Sequence, residues 1–194
     1  MVDYIDLPAQ AAGTDKVNVV ALPEPDVQKV CQGIRDANLI LESIGAAELA
    51  TCDLLSDNDE AVMTLVQQAG YDMCLNIVKR GKLYFSRRLR GYENLSTFNQ
   101  QELQMGVGEN LSVEIQRSMD YFESQLRQAP VKRILLGVET DLIEQFAELM
   151  KQLTFMPVEP FIPEQIKTID DAYSGHFLPS LGAAMAQAKT AEGG

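Results

Sequence analysis

Four side chains in this sequence could carry nucleophilic or metal-binding chemistry: Cys31, Cys52, Cys74 and His176. The thiols are widely spaced, no C-x-x-C pair occurs, and the one histidine has no serine or cysteine partner near it in the sequence. A structural zinc site needs clustered Cys and His ligands, and a catalytic triad needs a nucleophile, a base and an orienting acid. The sequence therefore predicts reduced thiols in a cytoplasmic protein, no metal site and no catalytic residue, although a triad assembled from distant residues stays open.

The sequence contains neither a G-x-x-x-x-G-K-[ST] phosphate loop nor a G-x-S-x-G elbow. The next feature that could bind a partner is a cluster of cations. It consists of Arg80, Lys82, Arg87, Arg88 and Arg90. Such a cluster is typical of a solvated strand whose charges block edge pairing. The alternative is a contact with an acidic partner or with a neighbouring lobe.

The composition limits the classes of partner. The chain has 194 residues, of which 46% are hydrophobic and 23% charged, and its formal net charge is −12. Phosphate backbones repel such a chain, so we expect no nucleic-acid partner. No apolar run reaches the roughly 20 residues of a membrane helix, and the first ten residues have neither the basic nor the apolar region of a signal peptide. We therefore expect a cytoplasmic protein without a membrane span of its own.

The N-terminal part of the chain predicts a small αβ unit. Residues 1–18 are polar and prone to turns. Apolar runs and a 3.6-residue period then predict a strand, a helix, a strand and a helix, at residues 17–22, 26–38, 39–44 and 46–55. The acidic stretch 53–60 marks a boundary, so we assign residues 1–56 to this unit and residues 57–194 to a second one.

The second unit predicts a mixed sheet. Three short strands form an antiparallel meander, with Gly81 placed for positive φ in a tight turn. A long helix, a buried strand, a helix capped by Thr140 or Asp141, a proline-containing edge strand and a closing helix follow. In chain order, these elements cover residues 61–66, 73–78, 83–89, 111–128, 131–136, 141–153, 156–161 and 181–188. A meander followed by helix–strand–helix–strand is one half of a mixed-sheet α/β fold.

Four segments of the chain resemble a known family. They are GKLYFSRR (81–88), VEIQRSMDYF (113–122), RILLG (133–137) and LPSLGAA (178–184). They resemble segments of the actin-like ATPase superfamily, most closely its PilM and MshI branch of pilus-biogenesis proteins, which is similar to the division protein FtsA. The resemblance covers residues 15–188 and implies the second, RNase H-like lobe of an actin-like fold, preceded by the family's extra subdomain. It also implies that the first lobe of a complete member is absent here.

Two loops in this half contact nucleotide in active members of the family. Where the family carries D-x-G after the first meander strand, this chain has Gln67 and then Gly70, and glutamine brings no charge to hold Mg²⁺. Where the family's adenosine loop carries paired glycines, this chain has Gly137, Val138 and Glu139. A carboxylate ~4 Å from an anionic ligand costs about 4 kcal/mol at an effective dielectric of about 20. Gln67, Gly70, Gly137 and Glu139 are therefore interpreted as degenerate nucleotide-loop positions, with ATP and Mg²⁺ expected only in the intact protein.

The resemblance implies a scaffold in the assembly of a type IV pilus of the mannose-sensitive haemagglutinin (MSHA) kind, rather than an enzyme. Family members hold the cytoplasmic tail of a bitopic membrane protein, so we expect inner-membrane pilus-assembly partners of the PilN or MshJ type. Through them the chain would be peripheral to the inner membrane. Two alternatives stay open: an actin-like ATPase with its catalytic residues in the missing lobe, and the cytoplasmic domain of the type II secretion protein GspL. Self-association, as in FtsA-like proteins, is left open as well.

Overall fold

The computed structural model of the chain describes residues 1–8, 17–55, 59–68, 70–163 and 177–192. The first sheet in these ranges is an antiparallel hairpin of β1 (Val2–Asp6) and β2 (Val17–Ala21). Helix α1 (Glu24–Asp36) follows directly, with a proline in its first turn, and α2 (Ala47–Asp53) comes next. No helix in the described ranges combines the length and the apolar character that crossing a bilayer would require.

The second sheet has five strands within the described residues, in the order β5-β4-β3-β6-β7. The predicted meander is confirmed as β3 (Val62–Gln67), β4 (Met73–Lys79) and β5 (Lys82–Leu89), all antiparallel. The turn between β4 and β5 has φ of 53° at Arg80 and 67° at Gly81. Positive φ at both central residues matches the right-handed twist of the strands, as in type I′ hairpins.

The remaining elements build the rest of the predicted α/β order. After β5 the chain passes through a 3₁₀ turn (Leu95–Thr97), the short α3 (Gln100–Glu102) and a kinked π turn (Leu103–Val107) into α4 (Gly108–Ser124). Strand β6 (Arg133–Val138) then pairs in parallel with β3, and β7 (Val158–Pro160) pairs in parallel with β6. Helix α5 (Ile143–Thr154) connects β6 to β7, and α6 (Leu178–Glu192) closes the described chain.

The five-stranded sheet is covered on both faces, because side chains alternate along each strand. On β3, Met63 and Leu65 belong to the core that α4 and α5 cover. Val62 and Val66 belong to the second core, beneath α2 and α6. Helix α2 is thus part of the packing of this sheet, while the predicted domain boundary at residue 56 stays a prediction.

Two predictions for the N-terminal unit were wrong. Residues 2–6, predicted as turn-prone, form strand β1, because the residues 17–21 pair with them along their whole length. Residues 39–44, predicted as a strand, have no regular structure, and Ile40 is 89% exposed. An apolar run forms a strand only where a sheet edge accepts its hydrogen bonds, and residues 39–44 pair with neither of the two sheets.

Several boundaries also differ from the prediction. Helix α4 begins at Gly108 and α6 at Leu178, three residues earlier than predicted in each case. In α6 this places Pro179 in the first turn, where its missing N–H is tolerated. Thr140 Oγ1 accepts a bond from the N–H of Leu142 (3.2 Å), but neither Thr140 nor Asp141 is the N-cap of α5. The edge position of β7 is confirmed, and His176 lies outside the described residues.

Candidate functional site

The predicted nucleotide-loop positions lie at the end of the five-stranded sheet where β3 and β6 finish. They are Gln67, Gly70, Gly137 and Glu139. Strands β3 and β6 are parallel, and Gln67 pairs with Val138 at their carboxyl ends. In open α/β sheets, ligands bind beyond the carboxyl ends of the strands. Gln67 and Gly137 end neighbouring strands, and Gly70 and Glu139 follow in the loops, so the structure brings these sequence-predicted residues to a common edge.

Gln67 is 1% exposed, and its side chain cross-links backbone rather than facing an open cleft. Its Nε2 donates to the carbonyl oxygens of Gln68 (2.6 Å), Glu93 (3.1 Å) and Tyr71 (3.4 Å). Its Oε1 is buried without a hydrogen-bond partner among the described residues. The side chain therefore holds the turn after β3 against the segment after β5.

The glycine in that turn also has a structural role. Gly70 has φ of +80°, a conformation that glycine adopts without steric penalty. Its N–H donates to the carbonyl of Glu93 (3.1 Å), which thereby receives bonds from both Gln67 and Gly70. A hydrogen bond from the N–H of Gly91 lowers the pKa of the Glu93 carboxyl from its ordinary value, so that side chain is anionic at neutral pH.

The loop after β6 is governed by packing. A Cβ on Gly137 would overlap the side chain of Leu178 in α6, so glycine is required there by the helix that covers it. Val138 is 5% exposed and belongs to the core on the opposite face. The Val138 side chain therefore points away from α6, into that core. Glu139 is half-buried at the start of the loop.

A small cavity of about 100 Å³ lies between α2, the β3–β4 turn and the start of α6. Its lining includes Glu48, Tyr71, Asp72, Cys74, Asn76 and Arg88. Pockets for drug-sized ligands measure roughly 300–1,000 Å³, so a nucleotide does not fit within this cavity. Arg88 donates to Glu48 Oε1 (2.9 Å) across it. Sequence reasoning missed Glu48, because nothing in the pattern links two residues that are 40 positions apart.

The two thiols near this cavity are poor nucleophiles. Burial, followed by the nearby charge of Asp53, raises the pKa of Cys52 to about 12. Burial also raises the pKa of Cys74 to about 11. Both thiols stay protonated at neutral pH, and only the thiolate attacks or binds metal. All three cysteines are unpaired, and the part of the chain that the structure describes contains no group of three His, Cys, Asp or Glu residues able to hold a metal ion.

The predicted basic cluster is mostly neutralised within the fold. Arg80 pairs with Asp59 (2.7 Å), Arg87 with Glu114 (2.6 Å) and Arg88 with Glu48 (2.9 Å). These pairs tie β5 and its turn to three other segments. For these three arginines, the structure favours the reading as internal and surface ion pairs over contact with an acidic partner.

A larger groove of about 830 Å³ separates the β1–β2 hairpin from the start of α2 and from β5. Apolar side chains supply much of its lining, among them Ile5, Val20, Leu49 and Leu83. Its volume is enough for a short extended peptide or a drug-sized ligand. The sequence did not reveal the groove, because one of its walls is strand β1, which was not predicted.

Comparison with known proteins supports the fold. No protein-family model matches the sequence, and no curated protein sequence matches it significantly. A chain of the PilM–PilN type IV pilus biogenesis complex matches with a TM-score of 0.68 at 16% identity, over 96% of this chain and 66% of that one. The ethanolamine utilization protein EutJ from Carboxydothermus hydrogenoformans matches with a TM-score of 0.52 at 14% identity, over 91% of this chain and 64% of that one.

The prediction of a PilM-like α/β fold is thereby confirmed. This chain spans about two thirds of the length of each of these two proteins, 66% and 64% respectively.

Proposed function

We propose that this chain acts as an actin-like scaffold in type IV pilus biogenesis and binds the cytoplasmic tail of an inner-membrane protein of the PilN type. The observation that carries this proposal is the structural likeness to a chain of the PilM–PilN complex, which extends over 96% of this chain. In this function the protein is cytoplasmic, is held at the inner membrane by its partner, and serves a pilus of the MSHA kind. A fold of this class supports many activities, so the function depends on the sites that the fold carries.

The groove beside the β1–β2 hairpin is the surface best suited to a peptide tail. Its apolar lining offers burial for alternate side chains of an extended segment. Ile5 and Val20 are half-buried and line it from the hairpin, and Leu83 lines it from β5. Each apolar side chain that a tail places there gains about 25 cal/mol per Å² of buried surface.

The carboxyl edge of the sheet favours a scaffold over an ATPase. The Gln67 amide donates to three backbone carbonyls, and Leu178 lies over Gly137. At both positions the residue type is accounted for by the fold itself, and the adjoining cavity measures only about 100 Å³. In this half, therefore, the loops act as structural connections and no ATP is bound.

Binding of a synthetic peptide that matches the tail of the PilN-type protein encoded in the same genome tests the scaffold function. We expect saturable binding by fluorescence anisotropy, weakened about tenfold or more, or about 1.4 kcal/mol, by Leu83→Asp in the groove. Val113→Asp, at an exposed position on α4, is the matched control and is expected to leave the Kd unchanged. A correctly folded protein that does not bind the peptide contradicts the proposal.

Isothermal titration with Mg·ATP separates the scaffold from the ATPase. We expect no binding heat for a protein whose circular dichroism shows it to be folded. A micromolar Kd that is lost on substitution of Gln67 would contradict the scaffold function and favour the ATPase alternative instead.

A further inference from the structure

Three lysines form one row at the opposite end of the five-stranded sheet, where β3 and β6 begin. They are Lys79, Lys82 and Lys132. Lys79 pairs directly with Lys82 across β4 and β5. The N–H of Lys132 donates to the carbonyl of Ala61 (2.9 Å), the residue before β3, and the β3–β4 register places Ala61 opposite Lys79. Directly opposed residues share one face of a sheet, and strands lie about 4.8 Å apart. The row Lys132, Ala61, Lys79, Lys82 therefore spans roughly 14 Å on one face.

These lysines are exposed or half-exposed cations in an acidic chain. Lys82 and Lys132 are exposed and Lys79 is half-exposed, and none of the three forms a salt bridge with a residue that the structure describes. The neighbouring arginines, in contrast, form salt bridges: Arg80 pairs with Asp59, and Arg133 pairs with Glu159. The row therefore places three cations together, beside the acidic Glu60, in a chain whose net charge is −12.

An exposed aromatic side chain lies at the same edge. Phe155 ends α5 in the left-handed conformation, with φ of 55° and ψ of 30°, and is 92% exposed. It precedes β7, whose start is held beside the start of β6 by the bond from Ile134 N–H to Pro157 O (2.9 Å). Helices that end this way carry Gly or Asn at that position, and a bulky residue there costs about 1–2 kcal/mol. Aromatic residues are enriched at protein interfaces, so the exposed ring of Phe155 is a candidate contact for a partner.

We propose that Lys79, Lys82, Lys132 and Phe155, together the lysine edge, dock an acidic segment of a partner protein that also carries an apolar residue. The row of about 14 Å matches four to five residues of extended chain at about 3.3 Å per residue. Carboxylates along the segment meet the ammonium groups, and the apolar residue covers the ring of Phe155. This surface lies at the edge opposite Gln67 and is independent of the proposed pilus function.

A narrow protein segment fits this edge better than a membrane does. A flat anionic bilayer would also approach the acidic side chains near this end of the sheet, among them Asp59 and Glu159, and like charges repel over a Debye length of about 8 Å. Three lysines near such a surface contribute only about 1 kcal/mol each. A peptide that lies along the row meets the cations without approaching the rest of the acidic surface.

The test uses a fluorescent peptide of alternating glutamate and leucine, with a glutamine–leucine peptide as the neutral probe. We expect the acidic probe to bind about tenfold more tightly than the neutral one, or by about 1.4 kcal/mol, and to weaken as salt rises. The variant with Lys79→Gln, Lys82→Gln and Lys132→Gln should lose this preference. Phe155→Asn should weaken both probes while it stabilises the fold, because asparagine tolerates the left-handed conformation.

The matched control removes the same charge elsewhere, through Lys29→Gln, Arg117→Gln and Lys151→Gln, at three exposed cations in helical i,i+3 pairs. It should keep the preference for the acidic probe. Equal loss in both triple variants would overturn the proposal in favour of a general charge effect. It would also be overturned by binding to phosphatidylglycerol vesicles without binding to the peptide, or by self-association in sedimentation that the lysine variant abolishes.

Discussion

The side-chain amide of Gln67 donates a hydrogen bond to the backbone carbonyl of Glu93, 26 residues further along the chain (3.1 Å). This bond joins the turn after β3 to the segment that follows β5. By the family resemblance, a nucleotide-binding relative is expected to carry an acid at the position that Gln67 occupies in this chain. In this chain the same position supplies donors to backbone carbonyls, a task that a carboxylate cannot perform.

Gln67→Ala is expected to destabilise the protein by about 1–3 kcal/mol, because buried carbonyls lose their donor. Gln67→Glu is expected to be worse at neutral pH. A buried carboxylate facing carbonyl oxygens has its pKa raised, so this variant should lose stability as pH rises above the ordinary glutamate value of about 4.3. Urea unfolding at pH 4 and pH 7 measures both effects. Gln104→Ala, at an exposed position, is the control, and a loss as large as that of Gln67→Ala would contradict the assignment.

The five-stranded sheet was predictable, because its strands and helices have strong periodicity and clear turn residues. The meander, the buried strand β6 and the face of α4 that carries Ile115 and Phe122 follow from spacing alone. The hairpin was not predictable in this way. Strand β1 depends on pairing with β2, while residues 39–44 have the composition of a strand but join neither sheet.

The candidate site was predictable in position but not in role. The resemblance placed Gln67 and Gly137 at loops that the structure does bring to one edge. What these residues do depends on contacts with Glu93 and Leu178, which are distant in sequence and leave no local signal. The same is true of the pair of Glu48 and Arg88.

Gly137→Ala is expected to destabilise the fold by about 1–3 kcal/mol, because the new methyl group overlaps the Leu178 side chain. Leu178 is completely buried, so Leu178→Ala alone also destabilises, by about 2–5 kcal/mol. The double variant should be more stable than the sum of the two losses predicts. The smaller side chain at residue 178 leaves room for the methyl group at residue 137, which in turn fills part of the cavity. A double-mutant cycle by urea unfolding measures this coupling, and strict additivity would show that the two residues do not meet.

Gly182→Ala is expected to be more damaging than Gly137→Ala. A Cβ at Gly182 would overlap the backbone carbonyl of Ala50 in α2, and a backbone group cannot move aside by changing its rotamer. The crossing of α2 and α6 would have to open, which releases the core beneath both helices. Gly33→Ala is the control, since nothing lies within 4 Å of its added Cβ, and alanine within α1 should gain up to about 1 kcal/mol.

Thermal unfolding monitored by circular dichroism distinguishes the two glycine variants. We expect a lower Tm for Gly182→Ala and an equal or higher Tm for Gly33→Ala. Equal Tm values for Gly182→Ala and the unmodified protein would mean that α2 and α6 do not cross closely in solution.

The raised pKa values of Cys52 and Cys74 predict that the stability of the fold depends on pH above neutrality. The folded-state pKa of Cys52 is about 12 and that of Cys74 about 11, against an ordinary value of 9.0 for both. A thiol whose pKa is raised in the folded state stabilises the fold fully below its unfolded value, and this contribution declines as pH rises through 9 towards 11. The urea midpoint should therefore fall between pH 8 and pH 10.5, and the fall should be smaller in Cys74→Ser, whose hydroxyl does not ionise in this range.

Thiol reactivity gives an independent measurement of the same burial. Only the thiolate attacks a disulfide reagent, so at pH 8 Ellman's reagent should modify Cys31, which is half-exposed on α1, well before the other two. Cys52, which is buried, should react at a rate limited by unfolding, and Cys74, which is half-buried with a pKa of about 11, should react slowly. Both should react at once in denaturant. Cys31→Ser, which leaves Cys52 and Cys74 in place, should therefore show almost no fast reaction. Rapid modification of that variant in the absence of denaturant would mean that α2 does not remain packed on the sheet, because the burial of Cys52 depends on that contact.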